Sequence, residues 1–320
     1  LNLTGIGTPV VNGSEGETAI TLHADSCILE GFKVIGASRG IGISSDNNSI
    51  KDNLITSCVI GIYINFKSNE NKIINNILLN NSLSGIDMIR SNNSTLANNI
   101  ILNTSFGFGI WLYGSINNSL VNNNISNCDV NGISLKFSNN NIVNNNSLTA
   151  TECGIFSYFG ENNLIMDNHI SNSSYGIEVE FSNQNTFTEN SISHCSNIYG
   201  MLLHNSNQNT FTENSISHCS NYGMLLHNSN YNQIYHNNFI NNTVQAYDYN
   251  GTNIWDNGYP SGGNYWSDYS GEDKYSGLCQ DQPGADGIGD TPYPIPETAR
   301  DKYPYMSENG WLMPQILPVH

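Results

Sequence analysis

The chain has 320 residues, with 27 Asp or Glu against 10 Lys or Arg, so its formal net charge at pH 7 is −17. A surface this acidic repels nucleic acid and anionic membranes, so we expect neither as a partner. No apolar run reaches the length of about 18 residues that suggests a transmembrane helix, so no membrane span is expected in this segment.

The first predicted elements are short apolar strands at residues 18–22 and 27–29, which we interpret as less regular first coils of a repeat. The chain begins at Leu1 without a visible secretory leader, and we expect that a precursor segment precedes it.

A glycine followed by a large apolar residue then recurs at intervals of 19 to 24 residues, and two further apolar registers share this period. Each period holds three short apolar patches separated by Asn, Ser or Gly, which is typical of three half-buried strands and three turns. The fold predicted is all-β: a right-handed parallel β-helix with three-strand coils of about 23 residues, stabilised by stacking of neighbouring coils. The glycine register is Gly42, Gly61, Gly85, Gly109, Gly132, Gly154, Gly176, Gly200 and Gly223; the second is Ile50, Ile73, Leu96, Leu120, Ile142, Leu164, Phe187, Phe211 and Ile234; the third is Ile55, Leu78, Ile101, Ile125, Leu148, Ile170, Ile192, Ile216 and Ile240.

Asparagine precedes each third-register residue by two positions, and we expect these side chains to stack in a hydrogen-bonded ladder from coil to coil. The predicted ladder is Asn53, Asn76, Asn99, Asn123, Asn146, Asn168, Asn190, Asn214 and Asn238. Four of the seven cysteines follow the third register by three positions and are expected to share one column, as thiols in preference to a Cys195–Cys219 disulfide; they are Cys58, Cys128, Cys195 and Cys219.

Residues 182–205 and 206–228 are nearly identical, which indicates duplication of a whole coil. The repeat ends near residue 250, so we predict a β-helix over 1–250 and an aromatic, Gly- and Pro-rich C-terminal cap over 251–320. Because an open solenoid end exposes apolar side chains and strand edges, Trp255, Tyr265 and Trp266 should cover the last coil.

Asn-x-Ser/Thr motifs are frequent, and with the acidic composition and scarce lysine they favour an exported protein. The glycosylation candidates are Asn80, Asn103, Asn117, Asn172 and Asn241.

On each glycine-led strand, the residues two and four after the glycine are expected to face solvent. Stacked aromatic rings on such a face suit sugar rings, although sheet faces also favour aromatics for cross-strand pairing alone. The candidate carbohydrate-binding residues are Tyr63, Trp111, Tyr113, Phe156 and Tyr158.

Catalysis has weaker support. Asp87 and Glu178 lie four coils apart, about 19 Å at the usual strand spacing, which is too far for a glycosidase pair. Glu178 and Glu180 remain a candidate pair on one strand, and a lyase would need basic residues that are scarce here. We assign no catalytic residue.

Two metal hypotheses arise. Asp281, Asp286 and Asp290, separated by glycines, are typical of a calcium loop, with a plain turn as the alternative. Four histidines with two nearby methionines suggest a copper site as the second hypothesis. The coil duplication produces the histidine pairs by itself, however, and the methionines should point inward. The residues are His194, His204, His218, His227, Met201 and Met224.

The Gly-Ile and Asn-x-Ile coils, followed by GGNYWSDYSG and DGIGDTPYPI, resemble the archaeal NosD-type β-helix proteins with carbohydrate-binding and sugar-hydrolase repeats over nearly the whole chain. The resemblance implies an extracellular or cell-surface location. We expect a non-catalytic structural or adhesive glycoprotein that binds polysaccharide or cell-envelope components, and leave a homo-oligomer or lattice open. The alternatives are a polysaccharide lyase or glycoside hydrolase, or an inactive relative, and then a copper-delivery protein.

Overall fold

The computed structural model describes residues 1–14, 16–196, 198–249, 251–296 and 298–313. Two compact units divide the chain, Leu1–Ser173 and Ser174–His320. Each is built from parallel strands that wind as a right-handed solenoid, so the predicted fold class is confirmed. The described residues contain no helix that is long and apolar enough to cross a membrane.

The first unit has seven complete coils, each contributing one strand to three parallel sheets, followed by one further strand in each of the first two sheets. Sheet A comprises Asn2–Thr4, Ile28–Glu30, Ser49–Lys51, Lys72–Ile74, Thr95–Ala97, Ser119–Val121, Ile142–Asn144 and Leu164–Met166. Sheet B comprises Val10–Asn12, Lys33–Ile35, Leu54–Thr56, Ile77–Leu79, Ile100–Thr104, Asn124–Cys128, Ser147–Thr149 and His169–Ser171. Sheet C comprises Thr18–Leu22, Arg39–Ile43, Ile60–Ile64, Ser84–Ile89, Phe108–Tyr113, Asn131–Lys136 and Cys153–Tyr158.

The second unit repeats this plan and ends in a loop-rich segment. Its sheet C strands are Tyr175–Glu180, Tyr199–His204, Tyr222–His227 and Val244–Tyr249; those of sheet A are Thr186–Thr188, Thr210–Thr212 and Gln233–Tyr235; those of sheet B are Ser191–Ser193, Ser215–Ser217, Asn238–Ile240 and Tyr265–Trp266. Two antiparallel hairpins follow, Tyr275–Ser276 with Gln282–Pro283 and Tyr293–Pro294 with Arg300–Asp301, and then a 3₁₀ turn, Gly310–Leu312.

The core is a stack of identical or similar apolar side chains. Ile86, Ile110 and Ile133 pair in register on consecutive sheet C strands and are fully buried, as predicted. Glycine precedes each of them because the coils approach closely there: a Cβ on Gly109 would lie 2.5 Å from the carbonyl oxygen of Gly132. The alternation of inward and outward residues is the period-2 pattern of a strand with one buried face.

The corner before sheet B carries the predicted asparagine ladder. Asn76 donates from Nδ2 to Oδ1 of Asn99 at 3.1 Å and to the carbonyl of Ile50 at 2.9 Å, and its backbone N–H donates to the same Asn99 oxygen. A second ladder, not predicted, precedes sheet A through Asn48, Asn71, Ser94, Asn118, Asn141 and Asn163. The left-handed corner is formed by the residue before the first ladder, for example Asn75 with φ 56° and Asn98 with φ 55°.

Three register assignments were wrong by one residue. The inward residues of sheet A are Val143 and Ile165, whereas Ile142 and Leu164 point outward. In the second unit Phe239, not Ile240, pairs with Ile216. The ladder therefore continues through Asn237 and Asn264, while Asn238 is hydrogen-bonded to Asn309. At each error two large apolar residues are adjacent, so alternation alone does not tell which one points inward.

The predicted cysteine column is present within each unit. Cys58 and Cys128 occupy one column of the first unit together with Asn81 and Thr104. In the second unit the thiol of Cys219 is hydrogen-bonded to Cys195, and this contact lowers the pKa of Cys219. These cysteines are buried, and the two are joined by a hydrogen bond in place of the disulfide alternative.

The last coil of the second unit is covered by aromatic rings. Trp266 stacks on Phe239 with ring centroids 4.4 Å apart, and Trp255 lies 6.0 Å from Trp266. Both tryptophans are buried, as predicted. Tyr265 extends sheet B by pairing with Asn238, but its own side chain is only half-buried. The covering segment therefore contains part of one more coil: Asn264 continues the asparagine ladder after Asn237, and Trp266 continues the column of core residues after Phe239.

Candidate functional site

The outward face of sheet C in the first unit, which we call face C, carries two columns of paired residues. The first column is Gly42, Tyr63, Asp87, Trp111, Ser134 and Phe156; the second is Ile89, Tyr113, Lys136 and Tyr158. Parallel in-register pairing keeps equivalent side chains side by side on adjacent strands, so the columns run along the coil stack. The predicted columns are present, but the expectation that every member faces solvent was wrong for Asp87 and Ser134, which are buried.

Aromatic rings form an unbroken series of contacts over the last three strands of face C. Trp111 lies between Phe108 and Tyr113, with both ring centroids 5.7 Å away. Tyr113 contacts Phe137 at 5.5 Å. Phe137 contacts Tyr158 at 5.7 Å and Phe159 at 5.5 Å, and Phe156 stacks with Tyr158 at 6.0 Å. We call these seven residues the aromatic row.

Four of the five predicted sugar-binding residues belong to this row. Tyr63 stands apart, since Asp87 separates it from Trp111 in the first column, and its ring is covered by the Arg39 guanidinium at 3.9 Å. Sequence reasoning missed Phe108, which directly precedes the glycine of its strand, and also Phe137 and Phe159, which occupy left-handed corners with φ 53° and 49°. The available signal for Phe137 and Phe159 was their position directly after the second outward column. Phe137 bridges the gap that Ser134 and Lys136 leave.

Asp87 is an outward residue that is nevertheless buried. Its residue is 2% exposed and Oδ1 has no hydrogen-bond partner. Burial raises the pKa of Asp87 to about 6, while the nearby Ser84 hydroxyl and the Arg39 charge act in the opposite direction. Because Ser84 Oγ is also without a hydrogen bond of normal geometry, the carboxyl is only weakly compensated. Sequence reasoning had placed this residue in solvent.

The other carboxylate pair considered for catalysis lies in the second unit. Glu178 and Glu180 are half-buried and occupy the two outward columns of their strand, where they pair with Leu202 and His204. Nothing in this geometry assigns them a reaction.

The structure does not bring the three predicted calcium ligands together. Asp290 accepts hydrogen bonds from the backbone N–H groups of Lys274 and Tyr275. Asp286 accepts from Ile288 N–H, and Asp281 is exposed on the turn of the first hairpin. Within the described residues no three His, Cys, Asp or Glu side chains form a group suited to a metal ion. Calcium binding stays a prediction, and the turn hydrogen bonds already account for the Asp–Gly pattern.

The five glycosylation candidates all lie on the surface. Asn80, Asn103, Asn117, Asn172 and Asn241 are exposed, and each occupies a left-handed corner. Asn103 donates from Nδ2 to Oδ1 of Asn80 at 3.0 Å, so the first two belong to an outer amide ladder. Their modification stays a prediction.

Two family models match parts of this chain. Residues 82–271 match the family model described as periplasmic copper-binding protein (NosD), and residues 11–129 match the model of a right-handed β-helix region. The chain belongs to the NosD family. No curated protein sequence matches it.

Solved structures similar to this NosD-family chain share its fold at low sequence identity. The A-module of the Azotobacter vinelandii mannuronan C-5 epimerase AlgE6 is 15% identical, with a TM-score of 0.66 over 79% of this chain and 81% of that one. A double mutant of the periplasmic alginate epimerase AlgG is 13% identical, with a TM-score of 0.58 over 70% and 64%. XylC in complex with xylose is 13% identical, with a TM-score of 0.57 over 78% and 53%.

The copper description of the NosD family can be tested on the residues present. His204 and His227 are neighbours on sheet C at 5.2 Å between ring centroids, and His194 and His218 form a separate stacked pair at 5.2 Å on left-handed corners. Met201 and Met224 are fully buried, as predicted, and cannot join either pair as they stand. The described residues therefore provide pairs of histidines and no set of three converging ligands, which fits a copper site poorly.

Proposed function

We propose that face C binds a polysaccharide chain and that the protein is a non-catalytic glycan-binding component outside the cytoplasm, in the periplasm or at the cell surface. The observation that carries the proposal is the aromatic row, seven rings in continuous contact on one sheet face. Cross-strand pairing accounts for contacts between neighbouring rings, whereas a sugar ligand also accounts for the ring faces left open to solvent.

The physical argument concerns the exposed ring faces. Phe137 and Phe159 are 41% and 44% exposed, so their rings are open to a ligand. Flat apolar rings with hydroxyl groups beside them suit the C–H faces and hydroxyls of sugar rings. Tyr113 and Tyr158 place such hydroxyl-bearing rings within the row.

The relatives support a carbohydrate ligand. Three of the similar structures carry names or titles that refer to alginate, mannuronan or xylose. The description of the NosD family as periplasmic supports an exported location. Each of these statements concerns the relative, and its transfer to this chain is part of the proposal.

Binding is favoured over hydrolysis because the two outward columns of face C contain one carboxyl group. Glycosidases use two carboxyls about 5 to 10 Å apart. Asp87 has no carboxylate neighbour in either column among the described residues of the first unit. A polysaccharide lyase or hydrolase remains the alternative function.

The test is glycan binding by wild type and by Trp111→Ala with Tyr113→Ala. We expect binding to polysaccharides on an array and in affinity electrophoresis, and a loss of about tenfold or more in the double variant, since truncating central aromatic anchors costs about 2 kcal/mol or more. Phe106→Ala is the matched control, because Phe106 is 76% exposed in the same unit and lies outside the row.

Equal binding by wild type and the double variant, with both melting alike, would remove face C as the site. The bound polysaccharides are also assayed for new reducing ends and for unsaturated products. Either product, formed at a rate that depends on added protein, would replace the binding role by the enzymatic alternative.

A further inference from the structure

Face C concentrates the positive charge of an acidic chain. Of the ten Lys and Arg residues, seven lie in residues 1–173, and four of these reach face C or its edge. Each of the four lies over an aromatic ring, and these are the cation–π contacts of the described residues. They are Arg39 over Tyr63 at 3.9 Å, Lys67 and Arg90 over Phe66 at 5.1 and 5.7 Å, and Lys136 over Phe137 and Tyr158 at 5.9 and 5.1 Å.

None of these four cations is neutralised by a carboxylate within ion-pair distance in the part of the chain that the structure describes. The ion pairs there are Lys51 with Glu30, on sheet A of the first unit, and Lys274 with Glu272, in the second unit. The one carboxyl in the outward columns, Asp87, is buried beside Tyr63. In a protein with net charge −17, unpaired cations gathered on one face create a local positive region that attracts anions.

The packing also holds the cations in place. Gly114 has φ 61°, and a Cβ there would lie 3.1 Å from Cγ of Arg90, so the absence of a side chain lets Arg90 lie across the corner. Arg39 is exposed but lies along the sheet over the Tyr63 ring. Cations fixed against rings lose less side-chain entropy when they bind a charged ligand than freely moving ones do.

A notch beside Arg39 offers a place for one charged substituent. Gly42 occupies the first column next to Tyr63 and contributes no side chain, which leaves a cavity of about 160 Å³. Arg39, His23, Ser44 and Asn65 line it with polar groups, and the Tyr63 ring forms a wall. His23 Nδ1 and Ser44 Oγ are already joined by a 2.6 Å hydrogen bond.

We propose that face C selects an anionic polysaccharide, with a carboxylate or sulfate group of one sugar in the notch at Arg39 and further anionic groups near Arg90 and Lys136. This rests on the proposed function and names its ligand class. The strands of Arg39 and Lys136 are four steps apart, about 19 Å, which accommodates several sugar residues. Guanidinium binds carboxylate or sulfate through charge-assisted hydrogen bonds, and the rings hold the uncharged sugar faces.

The experiment compares three polymers by affinity electrophoresis and calorimetry on the full chain at low salt. They are a polyuronate, the same polymer after reduction of its carboxyl groups, and a sulfated polysaccharide. We expect at least about tenfold tighter binding of one anionic polymer than of the reduced one, because only the charged polymer can accept charge-assisted hydrogen bonds from the guanidinium group. Tighter binding of the polyuronate would identify carboxylate as the preferred group, and tighter binding of the sulfated polysaccharide would identify sulfate.

Arg39→Gln should lower the affinity for the preferred anionic polymer about tenfold and leave that for the reduced polymer unchanged. Lys72→Gln is the control, since it removes the same charge from an exposed position on sheet A. Equal binding of charged and reduced polymers, or equal losses in both variants, would overturn the selectivity and leave glycan binding standing. If no polymer binds, the proposed function falls with it.

Discussion

A carboxyl oxygen without a hydrogen-bond partner is unfavourable inside a protein, and Oδ1 of Asp87 on face C is such an atom. Its burial comes from its neighbours, since Tyr63 and Trp111 flank it in the same column. Ionisation of Asp87 therefore opposes folding, and it would also oppose an anionic ligand nearby. The groups facing it are the Arg39 cation and the Ser84 hydroxyl, and both favour the charged form too weakly to offset burial.

The pH dependence of stability follows from this pKa. The folded-state pKa of Asp87 is about 6 against 3.8 for the unfolded chain, so the folded protein binds more protons between these values and stability falls as pH rises through this window. We expect Asp87→Asn to be more stable than wild type at pH 8, by up to about 3 kcal/mol. At pH 4 the difference should be much smaller.

Urea denaturation of both proteins at pH 4 and pH 8 measures this difference directly. Asp248 and Asp301 also have raised pKa values from burial, so the comparison uses the difference between the two proteins and not the wild-type slope alone. A difference that is the same at both pH values would contradict the assignment to Asp87.

Alternation of side chains was enough to predict that Tyr63, Trp111 and Phe156 face outward in one column. It could not predict that Asp87 is covered, because burial on an outward face depends on how neighbouring rings are turned. It also could not find Phe137, whose ring reaches the row from a left-handed corner. The sequence therefore predicted which residues form the columns of the candidate site, but not which of their side chains contact or cover one another.

At the scale of strands and corners, the asparagine ladder joins each coil to the next. Asn123 accepts hydrogen bonds from Asn99 through its side-chain oxygen, and its amide donates to Asn146 Oδ1 and to the Leu96 carbonyl, each near 3.0 Å. The ladder residues are buried, so these bonds satisfy groups that water does not reach. At the corners, where the chain has no strand pairing, the ladder asparagines thus form the hydrogen bonds between neighbouring coils.

Asn123→Ala should lower the free energy of unfolding by about 3 kcal/mol, because it leaves the buried Asn99 backbone N–H without its acceptor and removes the side-chain amide bonds that join Asn123 to Asn99 and Asn146. Asn124→Ala is the control, since Asn124 is the next residue and exposed, and its loss should cost less than about 0.5 kcal/mol. Chemical denaturation of the three proteins provides the values. Similar losses in both variants would show that the ladder bonds add little.

The same ladder explains where the register was predictable. From Ile50 onward, the inward residues of sheets A and B lie two positions after a ladder residue, as Val143 follows Asn141 and Phe239 follows Asn237. Apolar character alone placed Ile142 and Ile240 inward, because each is next to another large apolar residue. Asparagine does not resolve the choice in the sequence either, since Asn140 and Asn238 lie two positions before Ile142 and Ile240.

At the scale of the whole molecule, the second unit ends with a segment that closes its solenoid through buried polar groups as well as rings. Asp301 is fully buried and accepts hydrogen bonds from the Asn264 and Tyr303 backbone N–H groups and from Trp266 Nε1 at 2.9 Å. Burial raises the pKa of Asp301 to about 7 despite these bonds. The sequence predicted an aromatic cover but not this carboxyl at its centre, since no pattern distinguishes it.

Melting curves with EGTA and with excess calcium test the metal hypothesis for this segment. A site formed by Asp281, Asp286 and Asp290 would raise the melting temperature as calcium increases, through linkage. Because the carboxylates of Asp286 and Asp290 already accept backbone hydrogen bonds and the three do not converge, we expect superimposable curves. A melting temperature that rises with calcium concentration would contradict this expectation and support a calcium site.

The duplicated coil shows what the ladder permits. Residues 206–228 lack the counterpart of Ile198, yet Tyr199–His204 and Tyr222–His227 pair in full register, so the corner before sheet C absorbs the deletion. In the buried ladder before sheet B, the side-chain amide donates toward the C-terminal neighbour, as Asn190 does to Asn214 and Asn214 to Asn237. All hydrogen bonds of this ladder therefore run in one direction along the stack. A duplicated coil inserted in the same orientation finds the same donors and acceptors in its neighbours as the original coil. Growth by whole coils is then close to neutral for selection, and chain length becomes a variable that recombination can change without redesigning any contact.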